Sequence, residues 1–175
     1  MKWLLIAGGI ILLLVLIVVA IGAALPRDHV ATGQVRVSAP RTAVWAIVTD
    51  IDSFPKWRPG VTRVERLPDR DGQPVWVEHS SSDRITFAVD ASRPPDQWVV
   101  RIADPNLPFG GSWTYDVREA DGGTVLTITE RGEVYNPIFR FVSRFVLGHE
   151  KTIQTYLSAF ERRANERGTE SSRGI

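Results

Sequence analysis

The sequence predicts an α+β domain in which a curved antiparallel sheet wraps a long C-terminal helix, preceded by one transmembrane helix. Three observations predict it. Apolar or small residues recur at helical spacing from Asn136 to Arg163, at Phe139, Val142, Val146, Ile153, Leu157, Phe160 and Ala164. Between Val61 and Val134 the apolar period is two, over short runs joined by turn residues. Near the start, Trp3 to Leu25 is an uncharged run rich in Leu, Ile and Val.

That first run spans roughly 34 Å at about 1.5 Å per residue, enough for a hydrocarbon core of about 30 Å. Pro26, Arg27 and Asp28 end it. Small residues at Ala20, Gly22, Ala23 and Ala24 also suit a cleaved signal peptide, but the apolar part of such a peptide is usually shorter, about 7–15 residues. We read residues 1–26 as a retained anchor, 27–33 as a linker, 34–166 as the folded domain and 167–175 as a flexible tail. Lys2 and the terminal amine favour an N-terminus inside, with Arg27 and Arg36 opposing, so the domain is expected on the extracytoplasmic side.

Thr32–Val37 alternates as a first strand. Ser38 suits an N-cap and Pro40 a first turn, opening a helix through Asp50 that buries Val44, Ile47, Val48 and Ile51. Asp50–Gly60 reads as an ordered loop carrying Trp57. Strands follow at Val61–Leu67, Val75–His79, Arg84–Ala91, Trp98–Ala103, Gly111–Arg118 and Gly123–Val134. Their connections are short, so neighbours run antiparallel. One face gathers Ile85, Phe87, Val89, Ala91, Trp98, Val100, Ile102, Trp113, Tyr115, Val117, Leu126 and Ile128. The other carries charge, the signature of a sheet covered on one side only. In the last helix Asn136 is the N-cap, Pro137 takes the first position, and Arg140, Arg144 and Lys151 mark the wet face.

The chain has 175 residues, room for one ordinary domain and an anchor. It has no cysteine, which excludes disulfides, thiolate metal sites and a cysteine nucleophile. Net charge is +1 with both signs interspersed, unlike the concentrated basic face that nucleic acid requires. There is no P-loop, dinucleotide fingerprint or nucleophile elbow. A zinc-protease helix would need a second histidine where Ile153 follows His149-Glu150, and Asp69–Gly72 reads as a turn. No cofactor or metal is expected.

The order of elements resembles the helix-grip fold of the START-like superfamily, in particular its polyketide cyclase/dehydrase-like (SRPBCC) branch. Three stretches carry the resemblance: SAPRTAVWAIVTDIDSFPKWRPGV (38–61), LPFGGSWTYDV (107–117), and TITERGEV running into NPIFRF (127–141). The resemblance implies a cavity between sheet and last helix that takes an apolar ligand. It implies nothing about the anchor.

Candidate site residues follow. Trp57, Phe87, Trp98, Trp113 and Tyr115 supply rings for an apolar cavity with few polar atoms, and Phe145 and Ile153 face it from the helix. Glu130 is in phase with Leu126 and Ile128, so it points inward, where a carboxylate must find a partner or shift its pKa; the alternative is a salt bridge at the rim. His149, after Gly148 in the helix stripe, could hydrogen-bond a ligand or act as a base. The loop Pro105–Phe109 and the apolar first half of the last helix flank the expected mouth, which would open toward the bilayer. The expected function is membrane-anchored binding of an apolar or lipid-like molecule. Alternatives are a cyclase- or dehydratase-like enzyme using Glu130 or His149, and a tethered protein-interaction module whose pocket is filled.

Overall fold

A computed structural model describes residues 2–147 and 150–173, with side chains described at 2–145 and 151–167. Helix α1 (Lys2–Ala24) leads into β1 (Asp28–Val37), then α2 (Arg41–Thr49), a 3-10 turn (Ile51–Ser53) and α3 (Phe54–Trp57). Six strands follow: β2 (Arg63–Arg70), β3 (Gln73–His79), β4 (Arg84–Arg93), β5 (Gln97–Ile102), β6 (Phe109–Ala120) and β7 (Gly123–Val134). The chain then forms α4 (Pro137–Val142), a π-turn (Ser143–Leu147) and α5 (Glu150–Arg173).

All seven strands form one antiparallel sheet in the order β1-β7-β6-β5-β4-β3-β2. Strands β2 to β7 are a plain meander, as their short turns require, and β1 closes the free side of β7. The register shifts at Leu67/Arg70 and at Val89/Ala91, and such irregularities locally increase twist and bend a strand. The second bulge also turns Ala91 to solvent, against the alternation expected for β4.

Helix α5 lies on this concave face directly over β1. A Cβ at Gly33 would stand 2.7 Å from Ile153 Cγ2 and 2.9 Å from Leu157 Cδ1, so glycine sets that approach. Ile153, Tyr156, Leu157, Phe160 and Ala164 form the buried stripe. Helix α2 buries Val44, Ile47 and Val48 beside them, as its spacing predicts. Thr124, fully buried, donates to Ala39 O at 2.7 Å and ties β7 to the start of α2.

Several boundaries differ from the sequence reading. Strand β1 begins at Asp28, so the stretch read as a linker is paired to β7 through His29↔Gly132 and Ala31↔Glu130. The N-cap of α2 is Pro40, which has no side-chain acceptor to offer; Ser38 does not cap. Phe109 starts β6 rather than ending a loop. The last helix is broken at the π-turn, and α5 continues to Arg173, into the expected tail of 167–175. Asn136 caps as expected, its Oδ1 accepting from Ile138 N (2.9 Å) and Phe139 N (3.1 Å). Arg140, expected in water, is buried: it donates to Leu25 O at 2.9 Å and Ala23 O at 3.5 Å, satisfying carbonyls that the end of α1 leaves open.

Candidate functional site

Between the concave sheet, α3, α4 and the π-turn lies a cavity of about 450 Å³. It is far larger than the water-sized voids of packed cores. Its floor is a belt of rings built by strand register. Trp76 stands opposite Phe87 and stacks on it at 5.7 Å; Trp98 stands opposite Tyr115 at 5.3 Å; Trp76 and Trp98 stack at 5.9 Å and 8°. Trp113 continues the belt at 6.2 Å from Tyr115. Val100, Ile85 and Ile102 fill the walls, and Phe109 stacks on Phe139 at the far side. Pro59, Gly60, Glu133 and Thr152 form an exposed rim.

Two polar groupings face this apolar space. At one, Glu78 Oε1 accepts from Arg58 Nη1 (2.6 Å) and Trp76 Nε1 (3.0 Å). The Arg58 guanidinium also lies 4.5 Å over the Phe54 ring and 5.2 Å over Tyr156. Burial alone would push the Arg58 pKa down; the charge and hydrogen bond of Glu78 oppose it, and the pKa is held above its ordinary value. Burial likewise raises both phenols well above their usual value, so both hydroxyls are neutral.

At the other, His29 Nε2 lies 3.5 Å from Glu130 Oε1. The imidazole occupies the space over Gly132, where a Cβ would come within 2.1 Å of it. Burial lowers the His29 pKa, with the Asp28 charge partly opposing. Burial is the larger effect, so the ring is neutral near pH 7.

Of the residues singled out from sequence, Phe87, Trp98, Trp113, Tyr115 and Glu130 line the cavity. Glu130 points inward as period two requires, and its partner is His29 rather than a rim arginine. Trp57 does not line it. Its ring is wedged among Phe54, Tyr156 and Phe160 at 5.9, 5.3 and 6.2 Å, and Nε1 donates to Ser53 Oγ, so it joins α3 to α5. Ile153 is spent on the β1 contact, and Phe145 points away from the cavity, 61% exposed, because the π-turn rotates the helix face there. His149, Gly148 and the Val146 side chain lie outside the described residues. Residues the sequence reading missed are Trp76, Arg58, Glu78, His29 and Ser143. Trp76 and Glu78 sit in phase on one strand and were open to a period-two argument. Arg58 and His29 lie in segments read as loop and linker, where no periodicity operates. Among the described residues no cluster of His, Asp and Glu could hold a metal ion.

No curated protein matches the sequence. Solved structures do match the fold. The di-domain aromatase/cyclase StfQ of the steffimycin biosynthetic pathway aligns with TM-score 0.65 and 14% identity over 81% of this chain, which spans about half (52%) of that protein. A START superfamily protein from Mycobacterium smegmatis aligns with TM-score 0.63 and 17% identity, covering 79% of this chain and 98% of that one. The Zhui aromatase/cyclase from Streptomyces sp. R1128 gives 0.63 and 17%, covering 80% and 95%. At these identities they show the helix-grip fold alone. The sequence itself matches one family model over residues 28–164, which runs from the first residue of β1 to the last buried alanine of α5. With the whole sheet, the buried stripe of α5 and the ring-lined hollow inside that span, the chain belongs to the family described as polyketide cyclase/dehydrase and lipid transport.

Proposed function

We propose that this protein is a membrane-anchored binder of an apolar or amphipathic, lipid-like small molecule, held between the sheet and the C-terminal helix. The observation that carries this reading is the ring-lined cavity: its roughly 450 Å³ falls within the range of about 300–1,000 Å³ typical of small-molecule sites. Its polar groups favour a ligand that ends in a hydroxyl or amine rather than a carboxylate, because the one cation among the described residues that line it, Arg58, is already neutralised by Glu78 and the exposed rim carries Glu133. The candidate ligand contacts are Phe87, Trp98, Trp113, Tyr115 and Glu130, with Trp76 added. Native mass spectrometry of the full chain released from detergent tests this. We expect a co-purifying hydrophobic molecule that is lost in Val100→Trp, which fills the cavity; a bare wild-type chain that also binds no added medium-chain alcohol refutes it.

Helix α1 is long and apolar enough to cross a membrane. Its packing supports retention over cleavage, because Gly22 is buried against Pro137 and Arg140 closes on the last carbonyls of α1. Intact mass of the membrane-extracted protein decides between the two, with loss of residues up to about Ala24 as the contrary result. Lys2, the first residue of α1, supports a domain on the extracytoplasmic side.

One observation favours a second, enzymatic reading: a neutral imidazole and a carboxylate, His29 and Glu130, face the cavity together. There Glu130→Gln would abolish conversion of a bound ligand and leave its binding intact. The open cavity argues against the interaction-module alternative.

A further inference from the structure

The segment that follows β7 has two faces with different surroundings. Phe139 and Ser143 line the cavity from one face. Ile138 and Phe145, from the other, are 46% and 61% exposed, and the Phe141 ring tilts against Phe145 at 4.9 Å. Exposed apolar side chains on so short a stretch call for an apolar surrounding. The position of the segment says which one. Its first residue packs on the last turn of α1, where a Cβ at Gly22 would stand 1.9 Å from Pro137 O. Arg140, one turn later, is hydrogen-bonded to Ala23 O and Leu25 O. The segment is thus fixed at the level where the membrane-crossing run ends, beside the exposed Tyr135 and Val30. An aromatic with a polar tip, such as Tyr135, is characteristic of the headgroup layer.

We propose that Pro137–Leu147 is a membrane-contacting lip: it sits in the interface of the bilayer that α1 crosses, with Ile138 and Phe145 among the acyl chains, so that the mouth of the cavity faces the lipid headgroups. Resting on the anchored-binder reading, it adds the route, in which a ligand passes between leaflet and cavity past Phe139 and Phe109. The occupant of the exposed face is lipid. Continuity with α1 argues for it, since a protein partner would have to share the same few ångströms with the bilayer surface.

The absence of cysteine makes the test clean. Single cysteines are placed at Phe145, at Thr152 on the rim, at Leu13 in mid-α1 and at Arg118, exposed at the opposite end of β6. Each carries a nitroxide in the full chain in phosphatidylcholine nanodiscs, and collision with oxygen and with a water-soluble nickel chelate gives depth. The expected order is Leu13 deepest, then Phe145 oxygen-rich and severalfold less nickel-accessible than Arg118, then Thr152 between Phe145 and Arg118. A label at Phe145 or Thr152 as nickel-accessible as Arg118 overturns the lip. A water-exposed label at Leu13 defeats the anchor and the lip together. None of these readouts needs a ligand, so they are separate from the mass-spectrometric test of binding.

Discussion

Arg58 and Glu78 show how a charged pair can be kept beside an apolar cavity. The carboxylate has two donors, and the cation is held between aromatic faces of Phe54 and Tyr156. Removing one partner of such a pair typically costs about 3–5 kcal/mol, because the survivor is left buried and uncompensated. Arg58→Met is therefore expected to lower the melting temperature strongly, whereas Arg58→Met/Glu78→Leu recovers much of the loss. A double variant no more stable than the single one would contradict this. His29 makes a pH prediction. Its pKa is lowered in the fold, so below the ordinary value of about 6.5 the unfolded chain takes up a proton more readily than the folded one. The stability it contributes is fully present above about pH 6.5 and is lost as pH falls through the lowered folded value. Thermal melts of wild type and His29→Gln should diverge in slope only on the acid side. At this scale the inward aim of Glu130 was legible from phase alone. Its partner was not, since pairing His29 with Glu130 requires knowing that β1 joins β7 and starts four residues early.

The segment after β7 carries the main difference between the periodic pattern and the folded elements. Read as one helix from Asn136 to Arg163, it has a continuous apolar stripe; in the structure the stripe belongs to α5, and α4 with the π-turn turns away to meet α1. Helical periodicity cannot register a π-turn, because one added residue rotates the faces without changing composition. The same limit applies to Arg140: an arginine on a helix is expected in water by default, and only the end of another helix gives it carbonyls to satisfy. The boundaries of β2 to β7, by contrast, are legible to within about three residues, because each turn announces itself in Gly, Pro, Asp or Ser. Arg140→Met should leave the sheet intact and free the end of α1, orphaning its carbonyls at about 1–3 kcal/mol per buried group. Limited trypsinolysis after Arg27 in detergent is expected to accelerate while cleavage elsewhere is unchanged; equal rates would mean that Arg140 is not the latch.

For the whole molecule, the fold was legible because several weak signals agree: a period of two bounded by turns, then a period near 3.6, each requiring a cover for its apolar face. The cavity was legible only as an excess of rings, since sequence cannot say whether rings meet or stand apart. Helix α5 is drawn to the β1 side by Gly33, and the space left over β3 to β6 stays open. The central claim is that this space receives an apolar molecule against Trp76, Trp98 and Trp113. Titration of the full chain with a brominated medium-chain alcohol tests it most directly, since bromine quenches indole fluorescence only at contact. The account predicts saturable quenching in wild type that Val100→Trp abolishes; quenching that rises linearly without saturation, or equally in both proteins, would contradict it.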